Sequence, residues 1–139
     1  MSEVARGNFI QITPFLGTGQ IRRAIAFYTE TLGFTLCADF AGYAYIERQH
    51  VGIRLLKLDS GAPHPPGCSH VYIDVRDVDV LFAELEPRLQ MLPVDRWSKP
   101  TDASYHQREF SVRDPDGNLI HFGQGIGPSA GQWDYRDEP

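Results

Sequence analysis

Apolar residues recur along this chain in two rhythms, and the rhythms come twice in the same order. Residues 9–16 alternate as a strand, and Pro14 points to an edge position or irregular pairing. Ile21, Ala24, Ile25, Tyr28 and Leu32 then fall at i, i+3, i+4, i+7 and i+11, the stripe of an amphipathic helix with Thr18 as N-cap and Gly33 as stop. Strand-like runs cover residues 34–40, 43–48 and 52–58, with turns at Gly42 and Gln49-His50. Residues 61–67 hold Pro63, Pro65 and Pro66 between two glycines and read as a linker. Behind it residues 69–75 alternate, Asp77 is placed to cap a helix, and Val78, Leu81, Phe82 and Leu85 form a second stripe ending at Pro87. Residues 89–97 read as a strand with a loose start and residues 99–104 as a loop.

The last part, residues 108–124, carries the clearest local signal. Phe110 and Val112 alternate with Glu109, Ser111 and Arg113, and Ile120 and Phe122 alternate with Leu119, His121 and Gly123. Between them Asp114-Pro115-Asp116-Gly117-Asn118 supplies a fixed φ, a residue free to adopt positive φ, and short polar side chains that bond nearby backbone. One face of this hairpin is directed at a helix; the other, with Glu109, Ser111 and His121, lines something polar.

The order is a βαβββ unit used twice, an α+β architecture. Each unit has one helix stripe to bury and one sheet to bury it on, which leaves the other sheet face free. Two such sheets form cup-shaped half-barrels around a pocket. The expected layout is a single domain over residues 1–125, with unit one at about 9–58, a linker at 59–67 and unit two at about 68–124. Residues 126–139 are an extension carrying Trp133 and Tyr135.

Composition narrows the function classes. A chain of 139 residues with 42% hydrophobic and 22% charged residues is sized for one packed domain. No apolar run approaches the roughly 20 residues of a membrane span, and the N-terminal residues lack the apolar core of a secretory signal. Cys37 and Cys68 have no CxxC spacing, so a reducing cytoplasm is expected. Thirteen basic and 18 acidic residues leave a net charge of −5, which disfavours nucleic acid and favours a cationic partner. Ser69 and Ser111 lack a nucleophile elbow, and both cysteines lack an evident base.

The segment Ala24-Ile25-Ala26-Phe27-Tyr28-Thr29-Glu30-Thr31-Leu32-Gly33-Phe34, the paired units and the Asp114-to-Asn118 hairpin together resemble the vicinal-oxygen-chelate, or glyoxalase/bleomycin-resistance, superfamily. Within it, Asp39-Phe40-Ala41-Gly42, Arg108-Glu109-Phe110, Asp114-Pro115 and His121-Phe122 are most similar to the bleomycin-resistance proteins. That resemblance implies a strand-swapped homodimer that sequesters a bleomycin-like ligand, large, aromatic and cationic, in an inter-subunit cleft, without catalysis or cofactor. Phe40 would be a stacking residue. Tyr105 and His106 stand where the family has a stacking Trp, and Trp97 is a candidate substitute. Asp39 and Glu109, with Glu47 and Asp74 behind them, would supply carboxylates, and Ser111, His70 and His121 the polar lining. The alternative is a metal-dependent enzyme of the superfamily, of glyoxalase, dioxygenase or thiol-transferase type. A divalent metal would then be held by His70 and His121, completed by Gln11 and Glu47, although Thr13, Ile53 and Arg54 near the matching first-unit positions are not ordinary ligands. An orphan small-molecule carrier is a third reading.

Overall fold

The computed structural model describes residues 7–59 and 61–129. Strand β1 (Phe15–Thr18) leads into helix α1 (Ile21–Ala26), which continues as a π-helical turn at Phe27–Thr31. Strands β2 (Thr35–Phe40), β3 (Tyr43–Arg48) and β4 (Val51–Lys57) complete the first unit. The second unit has β5 (His70–Asp74), α2 (Val78–Leu89), a 3-10 turn at Val94–Arg96, then β6 (Thr101–Ala103), β7 (Gln107–Arg113) and β8 (Leu119–Gly125). The sheets run β1-β4-β3-β2 and β5-β8-β7-β6, and in each the first strand pairs parallel to the last while the others pair antiparallel. The fold is α+β, with the βαβββ order used twice.

Alternation decides which face each sheet buries. Ala44 and Ile46 of β3, Ile53 and Leu55 of β4, Phe110 and Val112 of β7 and Ile120 and Phe122 of β8 are all buried on the helix side. They meet Ala24, Ile25, Tyr28 and Leu32 from the first helix and Val78, Phe82, Leu85 and Leu89 from α2 in one hydrophobic cluster. Burial of this kind contributes roughly 25 cal/mol per Å² of apolar surface and is the main force holding the two units together.

A polar staple ties the β7–β8 turn of unit two to the start of unit one. The buried Asp114 carboxylate accepts from Tyr28 Oη at 2.7 Å, Asn118 Nδ2 at 2.8 Å and the backbone N–H groups of Asp116 and Asn118, each at 2.9 Å. Asn118 Nδ2 also donates to the Gly17 carbonyl at 2.9 Å. Asp116 accepts from Thr18 Oγ1 at 2.6 Å, Gly19 N at 2.9 Å and Arg23 Nη2 at 2.8 Å. Gly117, at φ +103°, takes the conformation that closes this turn.

Several local expectations are corrected. Residues 9–14 are not in a strand of this chain; pairing with β4 begins at Phe15, just after Pro14, which has no N–H to donate. Gln20, not Thr18, is the N-cap of α1: the Thr18 hydroxyl accepts from Gln20 N at 3.0 Å and is committed to Asp116. Helix α2 runs past Pro87 to Leu89, because a proline in the last turn forfeits one amide bond while Leu85 and Leu89 still bury completely. Residues 89–97 therefore form the helix end and a 3-10 turn rather than a strand, and only Trp97 bridges to Val112. Residues 99–104, expected as a loop, include the edge strand β6. Trp133 and Tyr135 lie outside the described residues.

Candidate functional site

The helix-free face of each sheet is where polar and aromatic side chains collect. On β5, His70, Tyr72 and Asp74 point away from the buried Ile73. On β8, His121 lies between the buried Ile120 and Phe122, and on β7 Glu109 and Ser111 flank the buried Phe110. Cross-strand register puts Tyr72 and Ser111 on either side of His121 and puts Glu109 beside Gly123. The result is a set of stacked rings: His121 lies 5.8 Å from Tyr72 at an interplanar angle of 14° and 4.6 Å from His70 at 38°. Gly123 makes room for it, since a Cβ there would fall 1.8 Å from Tyr72 Oη.

Glu109 sits at the centre of this platform. Its Oε1 accepts from Tyr105 Oη at 2.5 Å and lies 3.3 Å from Tyr72 Oη, whose one proton is shared with Gln107 Oε1 at 3.2 Å. His121 Nδ1 faces Glu109 Oε2 at 3.6 Å, too long for a hydrogen bond, and is buried with no other partner among the described residues. Burial, and then the neighbouring His70, hold the His121 pKa below the usual histidine value against the opposing pull of Glu109, so the imidazole is neutral at pH 7. Burial and the Glu109 charge push the Tyr72 phenol up, and the hydrogen bond to Glu109 does the same for Tyr105. Both phenols therefore stay protonated donors.

The first sheet presents Phe40, Tyr43, Tyr45, Glu47 and Arg54 on its helix-free face. Phe40 is two-thirds exposed, with its ring 6.3 Å from Tyr43. Tyr45 donates to Glu47 at 2.9 Å, accepts from Gln11 Nε2 at 3.0 Å, and carries the Arg54 guanidinium 5.1 Å above its ring. Arg54 also donates to Tyr43 Oη and, at 2.8 Å, to Thr13 Oγ1. A cavity of about 740 Å³ opens between residues 10–14, β4 and β5, lined by Gln11, Thr13, His50, Gly52, Tyr72 and Asp74 among others.

The residues singled out in the sequence thus separate. Glu109, Ser111, His70 and His121 share one face, with Tyr105 joined to it through Glu109. Ser111 is tied to Ser98, whose Oγ accepts from Ser111 N at 3.0 Å and lies 3.3 Å from the Ser111 hydroxyl. Phe40 is on the equivalent face of the other sheet. Asp39 pairs across the ladder with the buried Ala44, so it points to the helix side and is bound by Arg22. Trp97 packs on Phe82 with ring centres 6.0 Å apart, on the core side. His106 occupies a left-handed turn position, φ +64°, with its ring against Gly127. Tyr43, Tyr45 and Tyr72 were missed as site residues, although their alternation with Ala44, Ile46 and Ile73 carries the signal.

The donor set does not fit a metal centre of the superfamily. Phe15 pairs with Arg54 as Tyr72 pairs with His121, so Thr13 and Arg54 occupy the register positions of His70 and His121. A hydroxyl and a guanidinium are poor ligands for a divalent ion, and the guanidinium adds positive charge. Gln11 and Glu47 are instead bonded to Tyr45, and among the described residues no three His, Cys, Asp or Glu side chains are grouped so as to hold a metal ion. No helix among the described residues is long and apolar enough to cross a membrane.

Comparison with known proteins identifies the family and the fold. The family described as the Glyoxalase/Bleomycin resistance protein/Dioxygenase superfamily matches residues 9–122. A bleomycin resistance protein of Geobacillus stearothermophilus is 30% identical over 136 residues, covering 84% of this chain and 98% of that protein. Among solved structures, a bleomycin-binding protein from bleomycin-producing Streptomyces verticillus, complexed with copper(II)-bleomycin, superposes with a TM-score of 0.69 at 23% identity, over 88% of this chain and 99% of that one. TnmS3, an antibiotic binding protein from Streptomyces sp. CB03234, gives a TM-score of 0.68 at 25% identity, over 86% of this chain and 99% of its own.

Proposed function

The chain belongs to the Glyoxalase/Bleomycin resistance protein/Dioxygenase superfamily, and from that premise we propose that it is a drug-sequestering protein of bleomycin-resistance type. It binds a large ligand with flat aromatic rings and positive charge, and leaves it chemically unchanged. The observation that carries this reading is the pair of helix-free faces: rings at Phe40, Tyr43 and Tyr45 on one sheet, rings at His70, Tyr72 and His121 with the Glu109 carboxylate on the other. Flat rings stack on such faces and carboxylates attract a cationic tail, and the net charge of −5 adds long-range attraction. No cofactor takes part.

The working form is a homodimer with the cleft between subunits, in the cytoplasm. Phe9, Ile10 and Ile12 are each more than 90% exposed on a segment that pairs with no strand among the described residues. Three large apolar side chains in water are the signature of a surface that another chain covers. Exchange of this segment between two copies buries them and brings the first sheet of one copy toward the second sheet of the other.

Expression in a bleomycin-sensitive bacterium tests the function. Growth at drug concentrations that kill the empty-vector strain, with the drug recovered unmodified from the culture, is the expected outcome. Chemically altered drug would point to an enzyme, and absence of protection would reject this ligand.

A further inference from the structure

Glu109 has an unfilled half. Its Oε1 accepts from Tyr105 Oη and shares the one proton of Tyr72 Oη with Gln107 Oε1, whereas Oε2 accepts no hydrogen bond among the described residues, and no Lys or Arg among them pairs with either oxygen. The side chain as a whole is only 15% exposed. A carboxylate in that condition lacks a donor, and the rings beside it decide which donor fits. His121 Nδ1 lies 3.6 Å from it, beyond hydrogen-bond distance. The Tyr72 and His121 rings are near-parallel, and Tyr105, more than half exposed, stands at the rim.

We propose that Glu109 Oε2, beside the rings of Tyr72, Tyr105 and His121, is a subsite for a planar N–H cation of the amidinium class. A flat cation lies against aromatic faces and donates in the plane to a carboxylate, and both preferences are met here. Tyr72 and Tyr105 have a defined part: by engaging Oε1 they orient the carboxylate and leave Oε2 to the ligand. The subsite names the group that the proposed drug-binding face grips by charge, and it rests on that reading.

Benzamidinium and its neutral isostere benzamide are the probes, titrated into the full-length protein at pH 7.5 and followed by ligand-observed NMR. Benzamidinium is expected to saturate with a dissociation constant on the order of millimolar. In Glu109→Gln, which keeps the shape and an acceptor for the phenols, its binding weakens about tenfold or more. Benzamide binds weakly and equally to both proteins. Tyr105→Phe keeps the ring and the Glu109 charge but removes the bond that orients the carboxylate, so benzamidinium affinity falls by less than in Glu109→Gln. Equal benzamidinium affinity in wild type and Glu109→Gln, no saturable binding to wild type, or benzamide bound as tightly as benzamidinium each overturns the subsite. The same two proteins titrated with copper-loaded bleomycin separate the levels of the argument. Bleomycin bound equally by both removes the subsite and leaves the function, whereas benzamidinium binding without bleomycin binding removes the drug and leaves the subsite.

Discussion

Removing the Asp114 carboxylate should be among the most costly single changes in this protein, and the cost can be worked from its contacts. Asp114, Tyr28 and Asn118 are each at most 2% exposed, and Asp114 receives four donors. Asp114→Ala strands the Tyr28 hydroxyl without an acceptor and leaves two backbone N–H groups of the turn unpaired. Each orphaned buried donor costs about 1–3 kcal/mol, and allowing for relaxation and non-additivity the net loss is about 3–5 kcal/mol. Asp114→Asn is gentler. Its oxygen can keep the two backbone N–H groups, but its amide then faces Asn118 Nδ2, a donor against a donor, for about 1–3 kcal/mol. Tyr28→Phe deletes one bond and leaves three donors on the carboxylate, at about 1–2 kcal/mol. Urea unfolding at fixed protein concentration should rank the variants in that order with unchanged m-values. At about 4 °C per kcal/mol, Asp114→Ala lowers Tm by roughly 12–20 °C. Asp114→Ala and Asp114→Asn both within about 0.5 kcal/mol of wild type would refute the staple as the link between the units.

Other outcomes follow from the same contacts. Gly123→Ala places a Cβ where Tyr72 Oη now lies, so the ring must swing off His121; drug affinity falls while Tm changes little, because Tyr72 is a partly exposed side chain. Phe40→Ala, at a two-thirds exposed position, leaves stability near wild type and weakens drug binding by about 1–3 kcal/mol in calorimetry. Ile10→Asp with Ile12→Asp converts the proposed dimer to monomer in light scattering, because a segment exchanged between copies would then carry charge into an apolar contact. The folded-state pKa of His121 lies below its unfolded value, so the unfolded chain binds more protons and stability rises with pH across that interval. Stability is therefore fully present above the ordinary histidine pKa of about 6.5 and declines as pH falls below it. His121→Gln flattens that slope in urea titrations between pH 8 and pH 5, above the range in which the lowered carboxylate of Glu84 contributes.

The parts of the fold set by alternation were legible in the chain. Ala44 and Ile46, Phe110 and Val112, and Ile120 and Phe122 announce their buried faces by period alone, and the two helix stripes announce theirs. What alternation cannot see is a partner far away in sequence. Thr18 looks like a cap from its neighbours, yet its hydroxyl is claimed by Asp116, 98 residues on. Asp39 looks like a free acid until Arg22 folds across it, and the bulge between Leu36 and Ala38 shifts the strand's faces. Trp97 follows a helix whose end was set by Leu89 burying, not by Pro87. In the site, His70 and His121 were readable as one face because each sits opposite a core residue. The Glu109 geometry was not, because it depends on Tyr105 and Tyr72 reaching it from two other segments.

The account turns on whether the two faces hold a flat, cationic drug, and isothermal titration of the full-length protein with copper-loaded bleomycin asks that directly. The expected result is saturable binding at one drug per chain, two per dimer, weakened in both Phe40→Ala and Glu109→Gln. Titration heats no larger than dilution, with the protein folded and dimeric in the cell, would contradict it.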